Sequence, residues 1–307
     1  MNDFPSIVGV GHNCIDYLCT VECYPPEDGS THITAIDVQG GGAAATAMVA
    51  ASRLGYSSAL AGKLADDSAG IKIMRFLQDD GVNTDYISLE SGGRSSVSYV
   101  MVNPQNGTRT KFPYPDNLSA IEWNQRLKDL ICKAKIVHLD GTRYENALAA
   151  AEIAKKAGVS VSLDGCSMQA DNEKNKILAG MTDILIMNAK YPTRVSGIKD
   201  YKAALLEIAQ WGPKIVIGTQ GGEGCFAVID GKVVHFPAYR VPVVDTTGAG
   251  DVFHGAFLVG FLEGMDLHTN IRFASAVAAL KCTKIGGRSG IPGYEKGYSF
   301  MNEGKQY

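Results

Sequence analysis

Charge of one sign is what this chain conspicuously lacks. Its 29 lysines and arginines stand against 32 aspartates and glutamates, a formal charge of -3 and a pI near 6.1. That balance offers no basic footprint for nucleic acid or for an anionic membrane surface, so neither is expected as a partner. Long apolar runs are missing too. The longest, Val252 to Leu262, is interrupted by His254 and is too short to span a bilayer. The N-terminal residues MNDFPSIVGVG carry no basic segment and no long apolar stretch, so no secretory signal is expected there. Among the seven cysteines (Cys14, Cys19, Cys23, Cys132, Cys166, Cys225 and Cys282) there is no C-x-x-C pair, and no histidine pattern completes a zinc site around the first three. An odd number of unpatterned thiols suits a reducing cytoplasm.

Three catalytic or nucleotide motifs are also absent. No G-x-x-x-x-G-K-[ST] occurs, which argues against a P-loop ATPase, and no G-x-S-x-G elbow, which argues against an α/β-hydrolase. Gly9-Val10-Gly11-His12-Asn13-Cys14 begins like a dinucleotide turn. It lacks the third glycine, and no good helix follows.

What is present is an ordinary globular composition, 45% hydrophobic and 20% charged. Its 307 residues suffice for one large α/β domain or two smaller ones. No repeat, low-complexity segment or linker divides them, so one unit over 1–307 is expected. Thirty-five glycines cluster mostly between apolar runs, as tight strand–helix turns require.

From about 120 onward the order is regular: helix 120–133, strand 135–139, helix 145–157, strand 159–163, helix 172–179, strand 183–187, helix 200–210 and strand 214–218. Such alternation predicts an α/β fold with three layers, α/β/α, around a mostly parallel sheet. Cys225–Ile229 and Lys232–His235 flank Asp230-Gly231 as a hairpin, and a final helix is predicted over 267–284. Upstream lie a strand at 7–11, a helix at 43–54 ended by Gly55, a strand at 58–61, a helix at 68–78 and a strand at 86–89. Residues 94–114 break the rhythm. Ser96–Val102 alternates with period two, 103–107 is a turn, and 108–112 is extended again. With the extended pieces 17–21 and 32–38, this hairpin predicts a small sheet outside the main layer, a lid built from about 14–39 and 94–114.

The chemistry is concentrated in Asp245-Thr246-Thr247-Gly248-Ala249-Gly250-Asp251, which passes from extended chain through a glycine turn into a helix. The first N–H groups of a helix have no intrahelical partner, and the dipole there is positive, so an anion such as phosphate is favoured. A carboxylate at the same place, Asp251, would repel that phosphate unless it takes the proton of an attacking hydroxyl. Ionised at a positive helix end, it is a weak base that takes its proton late. Positioning and charge neutralisation must then supply most of the rate. Asp16, Gly41–Gly42, Asn188 and 219–224 also follow predicted strands, where open α/β sheets bind ligands.

The D-T-T-G-A-G-D run at 245–251 resembles the C-terminal signature of the ribokinase-like, or PfkB-type, carbohydrate kinases, and the resemblance covers nearly the whole chain. Gly41-Gly42 with Arg53-Leu54-Gly55 is similar to the family's N-terminal glycine signature, Gly62–Gly70 to its G-x-(I/V/L)-G-x-D-x-x-G segment with Ala65 for a glycine, and Thr219-Gln220-Gly221-Gly222-Glu223-Gly224 to its nucleotide loop. The resemblance implies ATP-dependent phosphorylation of a hydroxymethyl group. Asp251 would be the base, and the N–H groups of Gly248, Ala249 and Gly250 an anion hole. Asp16 and Gly41–Gly42 would hold sugar hydroxyls. Thr219, Gly221 and Gly224 would line ATP, with the last helix near Ala274.

Mg2+ should accompany ATP. Asn188 matches the family's N-x-x-E, but Tyr191 takes the glutamate position. A monovalent-cation loop of the family would fall on Asp245, Thr247 and Gly286, with Gly290 for a more usual serine, so K+ joins the expected cofactors. Thr46 stands where ribokinases usually carry asparagine, which points away from ribose. The stretches 40–47, 272–283 and 286–292 look most like the sulfofructose-kinase-like branch. By that resemblance Arg143 would grip an oxyanion, although Ser30 and Pro113 stand where a lysine and an asparagine are expected. A neutral ketose, a sugar phosphate or another hydroxymethyl substrate also fits the pattern. The remaining readings are a nucleoside kinase, for which Tyr99 would have to stack on a base, and a catalytically silent sugar- or nucleotide-binding regulator. A homodimer formed through the lid is expected from the apolar residues on its outer face.

Overall fold

Ile7–Val10 is buried on both faces, as a central parallel strand must be. This strand, β1, pairs in parallel with β4 (Ser58–Ala65) on one side and β8 (Ile136–Leu139) on the other. The sheet is completed by β5 (Ile87–Glu90), β9 (Ser160–Gly165), β10 (Ile184–Met187), β11 (Ile215–Thr219), β12 (Cys225–Ile229) and β13 (Lys232–Phe236). Its nine strands run in the order β13-β12-β11-β10-β9-β8-β1-β4-β5. Only β12 runs against the others, pairing antiparallel with β11 and, through the hairpin expected around Asp230-Gly231, with β13; both turn residues take positive φ (49° and 72°). The computed structural model describes residues 4–103, 108–166 and 170–307, so most of the turn expected at 103–107 lies outside the described residues.

Alternation along the strands divides the interior into two cores. Ile7, Leu60, Ile136, Ile184, Ile186 and Ile217 face α1 (Ala43–Arg53), α2 (Ser68–Asp79), α8 (Ala249–Leu262), α9 (Leu267–Lys281) and α10 (Tyr294–Glu303). Val8, Val137, Leu163, Leu185 and Val216 face α3 (Gln125–Lys133), α4 (Tyr144–Lys156), α5 (Asn172–Gly180), α6 (Tyr191–Ser196) and α7 (Tyr201–Ala209). The alanine-rich α1 is needed because α8 lies directly on it. A Cβ on Gly255 would stand 2.3 Å from Ala47 O. Helices and sheet therefore form the three expected layers.

The second sheet has the order β3-β2-β6-β7, with β2 Cys14–Val21, β3 Ile33–Gly41, β6 Val97–Val102 and β7 Arg109–Tyr114. It unites the two segments expected to pair. β2 and β6 run parallel, and the flanking pairs are antiparallel.

Five elements differ from expectation in their boundaries or their presence. α3 starts at Gln125 rather than 120, because the Asn124 side chain accepts the Leu127 N–H at 3.0 Å and caps the helix there. β2 begins at Cys14 and β3 runs on through Gly41, so the small sheet reaches the glycine turn itself. α6 is a six-residue helix with Pro192 in its first turn. α10 follows the helix expected to be last, and it buries only Gly297 and Met301, too few apolar positions for a visible period. No described helix is long and apolar enough to cross a membrane.

Candidate active site

The turn expected to bind phosphate is built by Asp245. Its Oδ1 accepts from Thr247 N (2.8 Å) and Thr247 Oγ1 (2.7 Å), its Oδ2 accepts from Gly286 N (2.7 Å), and the side chain is fully buried. Burial by itself would raise this carboxyl. The Thr247 and Gly286 donors and the Lys281 charge outweigh it and hold the group below the usual carboxylate value. Gly248 then caps α8 with φ 72°, a left-handed conformation suited to glycine, and the Cβ it lacks would stand 3.0 Å from the Gly287 Cα. Gly250 is exposed, with open space where its Cβ would be, and half-buried Asp251 follows in the first helical turn. The Ala249 N–H, expected in the anion hole, donates to Thr246 O at 3.3 Å, which leaves Gly248 and Gly250 as the better-placed donors.

Potassium does not fit the loop where it was expected. Lys281, itself without solvent exposure, donates from Nζ to Asp245 O at 2.8 Å. With both carboxylate oxygens engaged as described, Asp245 has no oxygen left without a protein donor, and the Gly286 N–H is spent on Oδ2.

At the sugar end, Asp16 on β2 is 9% exposed, and burial raises its carboxyl above the ordinary value against the pull of Cys14, Lys111, Arg288 and His12. Gly41 is glycine because a Cβ would lie 2.2 Å from Asp16 Oδ2, and Gly42, at φ 95°, brings the start of α1 against His12 O. Thr46 is not open to a ligand. It is 1% exposed, and its Oγ1 faces Nε of the buried Arg288 at 3.4 Å. Arg143 precedes α4 and lines a cleft with Gly11, His12, Asn13 and Lys63, but its guanidinium is bound to Asp116 and to Leu118 O. It belongs to the cleft wall with its charge already paired. Tyr99 stacks on Tyr17 with ring centroids 5.3 Å apart. The β2–β6 register puts both rings on the face opposite Asp16, so Tyr99 does not meet a base held beside that aspartate.

At the nucleotide end, Thr219 closes β11 with its hydroxyl donating to Met187 O (3.2 Å). Gly221 (φ 57°) and Gly224 (φ 92°) bracket a single 3-10 turn, and a Cβ on Gly224 would meet Phe236 O at 2.0 Å. Ala274 is fully buried in the helical core. Ser275 and Ala278 are the half-exposed residues of α9 in this region. Asn188 Oδ1 accepts from Lys190 N (3.0 Å) and Tyr191 N (3.1 Å), and so starts α6. Tyr191 is 1% exposed in the second core, with burial raising its phenol. It packs into the second core at the position where the resemblance leads one to expect a glutamate.

Several residues were not singled out from sequence. Asp140, after β8, accepts from His12 N (2.6 Å), Ala44 N (3.1 Å) and Thr142 N (2.9 Å), tying β1, α1 and β8 together beneath the cleft. Asp164, at the end of β9, is pushed up to about 6 by burial and by the charges of Asp251 and Asp140, against the pull of His254. His254 Nδ1 lies 2.7 Å from Gly250 O, and Nε2 lies 3.6 Å from Asp164 Oδ1. Asp164 stands one residue before the end of parallel strand β9, and that position was the available signal. Arg109 reaches from β7 to Thr246 Oγ1 (2.6 Å). No group of three His, Cys, Asp or Glu that would cage a metal occurs among the described residues. Mg2+ held mainly through ATP needs only one or two carboxylates, and buried Asp164 beside Asp251 fits that need.

Comparison with known proteins places the chain in a family. The pattern of the pfkB family carbohydrate kinases matches residues 5–293. An ATP-dependent ribose-1-phosphate kinase of Halopiger xanaduensis is 29% identical over 304 residues, 97% of this chain and 98% of that one. A nucleoside kinase of Methanothermobacter thermautotrophicus is 27% identical over 95% of this chain and 94% of its own. Among solved structures, the Arabidopsis thaliana ribokinase complexed with ribose and ATP superposes with a TM-score of 0.83 at 27% identity, covering 97% of this chain and 99% of that one. With a nine-stranded α/β/α core, a smaller second sheet and a family match over almost its full length, the chain belongs to the pfkB family of carbohydrate kinases, ATP-using phosphotransferases with an alcohol acceptor.

Proposed function

We propose that the chain transfers the γ-phosphoryl group of ATP to a hydroxymethyl group of a sugar or sugar derivative, with Asp251 as the base. The observation that carries this reading is the start of α8, where Asp251 stands in the first turn beside the exposed Gly250 and the Gly248 cap. Asp16 and the Gly41–Gly42 turn hold the acceptor's hydroxyls. Asp251 takes the proton of the attacking hydroxyl, and the N–H groups of Gly248 and Gly250 neutralise charge on the transferring phosphoryl. Thr219, Gly221 and Gly224, with Ser275 and Ala278 of α9, line the nucleotide. Asp164, with Asn188 nearby in the strand order, would hold Mg2+, which offsets phosphate charge when bound.

The small sheet acts as a lid, its Asp16 face turned inward. Its outer face exposes Ile36 (62%), Tyr99 (46%) and Phe112 (54%), which supports pairing of two subunits through this sheet. Seven free cysteines and use of ATP support a cytoplasmic setting.

The test is a screen for ADP release with Mg-ATP over neutral ketoses, aldoses, sugar phosphates, sulfonated ketoses and nucleosides. Turnover with hydroxymethyl sugars or their derivatives is expected. Turnover with nucleosides alone would replace the reading by a nucleoside kinase, and binding of sugar and ATP without turnover would replace it by a silent regulator.

A further inference from the structure

We propose that the Lys281 ammonium is the built-in cation of the 245–251 loop, standing in for a bound monovalent ion, so that turnover is independent of K+. The inference rests on the assignment of that loop to phosphoryl transfer.

Several oxygens around the loop are engaged from within the protein. Asp245 Oδ1 and Oδ2 take the Thr247 and Gly286 donors. Cys282 O accepts from Val244 N (2.8 Å) and Asp245 N (3.2 Å), and Ile285 O accepts from Gln39 Nε2 (3.2 Å). Asp245 O is met by Lys281 Nζ itself at 2.8 Å. Position 290 agrees. A Cβ on Gly290 would stand 2.2 Å from Lys281 O, so the end of α9 is packed too tightly for the serine that the resemblance leads one to expect.

A lysine with no exposure is costly to bury unless its charge is met. Burial lowers the pKa of this ammonium, and the negative charges of Asp245 and Asp251 work in the opposite direction to keep it charged. The single Nζ–carbonyl hydrogen bond also pins the residue from which the Thr246–Gly248 turn departs, one turn ahead of the base. Lys281 is thus a positioning residue. It holds the anion-binding turn and adds positive potential behind it, the two things a bound cation in such a loop would do.

Wild-type initial rates are compared in choline, sodium and potassium chloride at equal ionic strength, and Lys281→Met is measured the same way with ammonium chloride added as a fourth salt. The wild type should keep kcat within about twofold in all salts. Lys281→Met should lose about tenfold to a thousandfold in kcat, with a smaller change in KM, and recover part of it in ammonium or potassium but not in choline. Melting temperatures with Mg-ADP give a readout that needs no turnover. The wild type should melt alike in potassium and choline, whereas Lys281→Met should melt higher in potassium. If no substrate is turned over, the assigned function fails while this thermal comparison still decides the cation. Severalfold activation or thermal stabilisation of the wild type by potassium would overturn the proposal. So would full activity of Lys281→Met in choline, or a loss that no cation repairs. If that variant does not fold, the wild-type comparison decides alone.

Discussion

Arg109 Nη1 donates to Thr246 Oγ1 at 2.6 Å, joining the last strand of the small sheet to the loop that precedes Asp251. Its Nε is buried without a partner, so the guanidinium retains one donor for a group not yet in place. The contact ties the small sheet to the turn proposed to bind phosphate. Arg109→Ala should lower kcat/KM for the acceptor by about tenfold to a hundredfold while leaving the melting temperature nearly unchanged. Steady-state kinetics with both substrates varied checks this. An unchanged kcat/KM would remove Arg109 from the site.

Gly41→Ala tests the sugar end. The added methyl would sit 2.2 Å from Asp16 Oδ2, so the carboxylate must move. A displacement of that size should raise the acceptor KM by about tenfold or more, with the KM for ATP little affected. Equal rises in both would indicate general loosening of the fold instead.

Asp164 carries the pH prediction. Its carboxyl is raised to about 6 in the fold, so its contribution to stability is complete below the unfolded carboxylate value and is lost as pH rises through 6. The ligand-free protein should therefore melt lower at pH 7 than at pH 5. Asp164→Asn should flatten that slope and melt about 2–4 °C higher at pH 7. The same variant should lose most kinase activity if Asp164 helps to hold Mg2+. Calorimetry across this pH range, with activity measured beside it, separates the two effects.

Arg288 supports the glycine turn from beneath. It is 3% exposed, donates from Nη2 to Gly41 O (3.0 Å) and from Nε to Thr46 Oγ1 (3.4 Å), and its Nη1 lies 3.9 Å from Asp80 Oδ2. Arg288→Met should cost about 2–4 kcal/mol in denaturant unfolding, because Asp80 and the Gly41 carbonyl lose a buried partner. A loss near zero would show that Arg53, which also binds Asp80, suffices alone.

The legible parts of this molecule were those written in local pattern. Apolar strands alternating with helices marked the parallel sheet. Period two at Ser96–Val102 marked β6, and the glycine turn before Val252 marked the start of α8. What stayed hidden depends on which way a side chain points once the chain is folded. Thr46 and Ala274 lie on helices near the site but turn toward Arg288 and the core, respectively. Asp140 follows β8, Asp164 stands on β9 and His254 on α8, and no spacing in the sequence announces that they gather. Lys281 reads as an ordinary basic residue at a helix end. Only its direction, inward to Asp245 O, gives it a role.

The central claim is that Asp251 takes the proton during phosphoryl transfer, and Asp251→Asn measured against wild type tests it most directly. With an acceptor found in the screen, kcat should fall by about a thousandfold or more, while the melting temperature and the binding of ATP and acceptor stay close to wild type. Turnover within about tenfold of wild type by that variant would contradict the account.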